Sequence, residues 1–261
     1  MASTREPAVA GLFYPADRSE LQRTVGKLLA AASPSLEPPK ALVVPHAGYV
    51  YSGPVAASGY ALLAPLRDTV TRVVLLGPAH RVALQGLALP SVDAFLTPLG
   101  RVPIDAATVE RLLELPSCRL DDHAHELEHS LEVHLPFLQE TLAGFTLVPL
   151  VVGDAEPDEV AEVLDAVWGG PETLIVVSSD LSHYHDYATA QRLDGETTRA
   201  IEALEPARIG YGQACGRNPL NGLLEVARRR ALEVTTVDLR NSGDTSGMRD
   251  SVVGYGTYAF H

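Results

Sequence analysis

The segment Thr173–Tyr187, TLIVVSSDLSHYHDY, decides the reading of the fold. Leu174–Val177 is a short apolar run rich in β-branched residues, the composition of a strand buried on both faces of a sheet. It stops at Ser178-Ser179, and Asp180, His183 and His185 follow directly. Open α/β sheets place their ligands just past the carboxyl ends of buried strands. Polar, titratable side chains at this point are therefore candidates for a site.

The same pattern recurs twice upstream. In Ala41–Tyr51, ALVVPHAGYVY, an apolar run ends at Pro45 and His46 comes next. In Arg72–His80, RVVLLGPAH, Val73–Leu76 ends at Gly77-Pro78 and His80 follows. Parallel neighbours would set His46, His80 and His183 along one edge of the sheet. A single histidine in such a place is commonly a satisfied loop residue. Three in equivalent places point to a common site, and neutral imidazole is a frequent metal ligand.

Outward from these strands the chain alternates strand and helix. Helices are predicted at Arg18–Ala32, Val55–Leu63, Ala106–Leu115, Pro157–Trp168 and Ala188–Ala203, with a last one opening at Asn218-Pro219. Further strands are predicted at Gly86–Leu89, Thr146–Val152, Glu233–Leu239 and Val252–Phe260, the last two antiparallel. Leucines 131, 135, 138 and 142 predict a helix from about Ser130, kinked by Pro136 and carrying His129 and Glu132 on one face. Residues 240–250, RNSGDTSGMRD, read as a loop. The expected fold is one α/β domain over residues 1–261, with a largely parallel or mixed central sheet flanked by helices.

Composition narrows the function classes. A formal net charge of −13 opposes nucleic acid and anionic membrane as partners. Two cysteines are too few for a disulfide scaffold and fit a reducing cytoplasm. No apolar stretch approaches the ~18 residues of a membrane span, and the amino terminus lacks the apolar region of a signal peptide. Walker, dinucleotide, nucleophile-elbow and paired-cysteine zinc motifs are all missing. What remains is histidine and carboxylate at strand ends. Two histidines and one carboxylate on one face of a metal is the pattern of Fe(II) oxygenases.

REPAVAGLFYPAD, VVPHAGYVYSGPVAASGYA, VVLLGPAH, EHSLEVHLPFLQ, VVSSDLSH, CGRNP and the terminal SVVGYG together resemble the Memo family, known in bacteria and archaea as AmmeMemoRadiSam system protein B. The resemblance spans nearly the whole chain. It implies a fold similar to class III extradiol dioxygenases, which open catechol rings with non-haem Fe(II). It implies His46 and His80 as metal ligands, and Asp180 and His183 as catalytic pocket residues, His183 moving the proton. Animal members resemble signalling adaptors, and they carry a cysteine ligand in the loop before the final strand. Residues 240–250 contain no cysteine, so Asp244 is expected to complete a 2-His-1-carboxylate triad favouring Fe(II). His129, Glu132 and His134 are expected beside the ligands, Glu132 orienting a metal-bound imidazole, with Phe13 and Tyr49 lining the pocket. Two functions stay open: an oxidoreductase acting on a catechol-like small molecule, or an accessory protein using the same cleft beside a radical-SAM partner or a peptide.

Overall fold

The three apolar runs that end in histidine-bearing loops become adjacent parallel strands at the centre of one large sheet. The computed structural model describes residues 3–33 and 35–261. Its strands are β1 Thr4–Arg5, β2 Ala41–Val44, β3 Arg72–Pro78, β4 Leu87–Leu89, β5 Ala94–Thr97, β6 Gly100–Pro103, β7 Cys118–Leu120, β8 Thr146–Val152, β9 Thr173–Ser178, β10 His183–His185, β11 Val234–Asn241 and β12 Val252–Phe260. Its α-helices are α1 Arg18–Ala31, α2 Tyr49–Tyr60, α3 Ala106–Leu112, α4 Asp122–Glu126, α5 Leu135–Thr141, α6 Pro157–Val167, α7 Tyr187–Glu202, α8 Arg217–Arg229 and α9 Ser242–Thr245.

The main sheet runs β10-β12-β2-β9-β3-β8-β4-β7, with β11 on β12. β2, β9, β3 and β8 are mutually parallel. β12 and β4 close this block with antiparallel pairings to β2 and β8. A small sheet β1-β5-β6 lies apart. The mixed α/β architecture is the expected one, and β11 and β12 pair antiparallel as expected.

Alternation along the central strands sorts their side chains to two cores. Leu42, Val44, Val73, Leu75, Leu174 and Val176 pack with Leu21 and Val25 of α1, Ala56 and Tyr60 of α2, and Phe137 and Leu138 of α5. Val43, Val74, Leu76, Ile175 and Val177 face the opposite way, onto Val160 and Leu164 of α6 and Leu220 and Leu224 of α8. Each fully buried leucine or valine contributes roughly 1.5–3 kcal/mol. The sheet's carboxyl edge is thus fixed from both sides. No helix of the described residues is long and apolar enough to cross a membrane.

Two local expectations are corrected. α2 starts at Tyr49, ahead of the expected Val55, so its amino end faces the His46 loop. The stretch after His129 is not one kinked helix. Glu132–His134 form a 3₁₀ turn, and α5 starts only at Leu135, with Pro136 in its first turn. There the missing N–H has no intrahelical partner to lose, and the helix needs no kink.

Candidate metal centre

Beyond the carboxyl ends of β2, β9 and β3 lies a cavity of about 940 Å³. His46, His80, His129, Asp180, His183 and Cys215 all line it. The strand order explains the convergence: β9 sits between β2 and β3, so the three loops that follow them must meet.

Hydrogen bonds define which nitrogen of His46 faces the cavity. Its Nδ1 lies 2.6 Å from Ser178 Oγ, and His134 Nε2 lies 2.8 Å from the same oxygen. The Ser178 hydroxyl donates to the Ser130 carbonyl at 2.6 Å. Its only proton is then spent, so it accepts from both rings. His46 therefore carries its proton on Nδ1 and presents an unprotonated Nε2. His134, with Nε2 protonated, accepts at Nδ1 from the Tyr60 hydroxyl, 2.8 Å away. His134 is fully enclosed, and burial pushes its pKa down to about 3. Burial also pushes His46 well down, helped by its histidine neighbours, so it stays neutral and able to ligate.

Glu128 does the same for His80. His80 Nδ1 lies 2.9 Å from Glu128 Oε1, and the His80 backbone N–H donates to Oε2 at 2.6 Å. An ionised carboxylate only accepts, so the proton is on Nδ1 and Nε2 is left free. Burial opposes this charge. The hydrogen bonds from His80 and the nearby backbone outweigh it and hold Glu128 at about 2. His129 stacks on the His80 ring at 4.7 Å between centroids and meets the Phe13 ring at 4.8 Å. Burial lowers the pKa of His129 to about 4.

Cys215 supplies the third donor. Its Sγ lies 3.3 Å from His46 Nε2, and the Asp180 backbone N–H donates to it, also at 3.3 Å. One ligand atom each from His46, His80 and Cys215 lies within 4.8 Å of the others. The next residue is Gly216, where a Cβ would collide with the Ser178 carbonyl oxygen. Only glycine lets this loop lie against the end of β9. Burial holds the thiol well above its usual range. A metal would deprotonate it outright. Two imidazole lone pairs aimed by partners on the far nitrogen, together with a thiol facing one of them, form a donor set that fits a transition metal.

Asp180 and His183 complete the wall. Asp180 is buried, and its Oδ1 accepts from the His46 backbone N–H at 2.7 Å. Burial raises its pKa to about 7 against those backbone donors. His183 Nδ1 donates to the Leu181 carbonyl at 2.8 Å, which leaves Nε2 as a free base. Burial lowers its pKa as well.

Three expected roles are corrected. Asp244 is not with the donors. It is exposed, in α9, where Oδ2 caps the Asn241 N–H at 3.0 Å and Oδ1 accepts from Tyr187 at 2.6 Å. Its short helix uses the carboxylate at its own amino end. Glu132 touches neither His46 nor His80. It is wholly buried on Arg5, Tyr14 and the N–H groups of Ala8 and Val9, so it anchors the amino-terminal segment. Tyr49 packs on Tyr14 and Phe137 and donates to the Val133 carbonyl, in the core and not on the wall. Phe13 and His129 do line the cavity, and His134 stands one hydrogen bond behind His46. Cys215, Glu128 and Ser178 escaped the sequence reading. The resemblance directs attention to residues 240–250 for a thiol, whereas Cys215 lies in the CGRNP motif. Glu128, next to His129, carried no periodic signal because the segment is irregular.

A family model described as Memo-like protein matches residues 5–259. A MEMO1 family protein of Aquifex aeolicus is 38% identical over 262 residues, covering 96% of this chain and 97% of the relative. Similar proteins of the same name come from Thermotoga maritima, at 34% over 279 residues with 96% and 97% covered, and from Pyrobaculum arsenaticum, at 34% over 278 with 98% and 99% covered. The crystal structure of an uncharacterized Escherichia coli protein is similar with a TM-score of 0.52 at 15% identity, over 82% of this chain and 98% of that one, a likeness of fold alone. Matched along almost its whole length by the family model and by these relatives, the chain belongs to the Memo family.

Proposed function

We propose that this chain is a non-haem metal protein and an oxidoreductase, with its metal on His46, His80 and Cys215 and its substrate in the cavity in front of them. The observation that carries this reading is the approach of those three donor atoms to within 4.8 Å of one another. A thiolate favours softer late first-row ions over manganese or magnesium. Of these we assign iron, because an oxidoreductase needs a metal with two accessible oxidation states. When bound, such a metal supplies Lewis-acid and one-electron chemistry to a bidentate ligand of the catechol kind.

The chain's own part is to orient and to move protons. Ser178 and Glu128 hold the His46 and His80 rings in their ligating tautomers. His183, neutral and with Nε2 free, accepts a proton from a substrate hydroxyl. Asp180 braces the His46 loop through its backbone N–H. Anaerobic purification, metal analysis and oxygen uptake with catechols test this reading. His183→Asn should keep the metal and lose roughly 10²–10⁴-fold in turnover. Metal-free parent protein, or full turnover in the variant, would contradict it. We place the protein in the cytoplasm, where a thiol ligand stays reduced.

A second reading is an accessory protein beside a radical-SAM partner. The rim favours it: Tyr184, Tyr211 and Met248 are exposed around the cavity mouth. Metal binding without any oxygen uptake, together with a stable complex with such a partner, would select it.

A further inference from the structure

The charge of the cavity wall differs from that of the rest of the molecule. The chain has 33 acidic and 20 basic residues. Among Asp, Glu, Lys and Arg, the cavity wall carries two residues, Arg81 and Asp180. Asp180 is buried and occupied by the His46 N–H. Arg81 is exposed and has no ion pair or hydrogen bond among the described residues. Its side chain is part of the cavity lining, next in sequence to His80. An acidic protein thus presents one exposed cation and no exposed carboxylate among the residues that line this cavity.

The rim is aromatic. Tyr51, Tyr184 and Tyr211 line the cavity with exposures of 43%, 78% and 78%. Tyr211 is held by the Arg217 guanidinium, 3.9 Å over its ring. Tyr184 has φ of +61°, a left-handed conformation that is unfavourable for a bulky side chain. Strain of this kind gathers at ligand sites, where the surrounding structure imposes it.

From this we infer that the ligand of the cavity is a small aromatic carboxylate, its ring among the rim tyrosines and its carboxylate on Arg81. A guanidinium matches a carboxylate in a two-pronged contact, and a single open cation balances a single negative charge. The inference rests on the reading of this cavity as a substrate site and makes Arg81 its specificity-determining residue.

Benzoate and its neutral isostere benzamide, titrated into metal-free protein and followed by protein NMR, separate charge from ring. Benzoate should bind about tenfold tighter than benzamide, a difference of ~1.4 kcal/mol, and the margin should shrink in ~1 M salt. Arg81→Gln should bring benzoate to the level of benzamide and leave benzamide unchanged. Arg81→Lys should restore part of the margin. Acetate, without a ring, should bind more weakly than benzoate. Equal binding of benzoate and benzamide, or an Arg81→Gln loss shared by both, overturns the inference. Phenyl phosphate binding tenfold tighter than benzoate overturns the carboxylate. No metal is present in these titrations. A failure of the metal assignment therefore leaves a benzoate preference standing, and a metal-loaded protein without that preference fails here alone.

Discussion

Two glutamates four positions apart should respond to substitution in opposite ways. Glu132 pairs with Arg5 at 2.7 Å, with side-chain exposures of 0% and 6%, and it also accepts from Ala8, Val9 and Tyr14. Removing one partner of a buried ion pair costs about 3–5 kcal/mol. Arg5 keeps its bonds to the His125 and Glu128 carbonyls, which argues for the lower end of that range. The stranded N–H and hydroxyl groups add roughly 1 kcal/mol. A total near 4 kcal/mol, divided by an unfolding entropy of ~0.55 kcal/mol/K for a chain of this length, gives a fall in Tm of about 7 °C for Glu132→Ala. Metal affinity measured by calorimetry well below the Tm should stay within about twofold. Glu128→Gln should reduce metal affinity roughly 10–100-fold, because both carboxylate oxygens accept from N–H groups and an amide in their place weakens the hydrogen bond that orients His80. The pair Arg5→Met with Glu132→Leu, which leaves no buried charge but strands the backbone groups both side chains satisfy, should recover only part of the lost Tm. A Glu132→Ala protein with parental Tm and tenfold weaker metal binding would refute the assignment of these two roles.

Other outcomes follow from the buried polar groups. Ser178→Ala strands the Nδ1–H of His46 and the Nε2–H of His134, so histidine-selective NMR should show His46 losing its single tautomer, with metal binding weaker by about tenfold; an unchanged tautomer would remove Ser178 from that role. His125 is buried, donates from Nε2 to the Ala88 carbonyl, and is held by burial at about 4. Its unfolded value is near 6.5, so the unfolded chain binds the proton more readily. The stability it contributes is complete above pH ~6.5 and is lost as pH falls through ~4, on the order of 3 kcal/mol. Urea unfolding at pH 7 and pH 4 should show a larger total loss, shared with the buried His129 and His134, and His125→Gln should reduce it by the part that His125 contributes; an equal loss in parent and variant would exclude His125 as a contributor.

The fold was legible because its centre is made of short apolar runs that only a doubly covered sheet can bury. Leu174–Val177, Val73–Leu76 and Ala41–Val44 became neighbours in one parallel block, with their histidines at its edge. Two of the three donors were therefore within reach of pattern reading. Cys215 was not, because it is brought in by a loop whose position depends on Gly216 lying against β9. No local period reports a contact between residues 46 and 215. Glu132 is expected beside a metal-bound imidazole and Glu128 goes unnoticed for a related reason. The leucine spacing predicts a regular helix, whereas the chain between α4 and α5 is a 3₁₀ turn with irregular flanks that directs Glu128 to His80 and Glu132 to Arg5. A likeness of loop position places Asp244 among the ligands, whereas its carboxylate serves the cap of α9.

The central claim is the N₂S donor set, and metal stoichiometry tests it most directly. Parent, His46→Ala, Cys215→Ser and Asp244→Ala proteins would be purified without oxygen, reconstituted with Fe(II), freed of excess metal and analysed for bound iron. The parent and Asp244→Ala should each retain close to one iron per chain, while His46→Ala and Cys215→Ser should retain little. Full iron in Cys215→Ser, or its loss in Asp244→Ala from a protein that remains folded, would contradict the assignment.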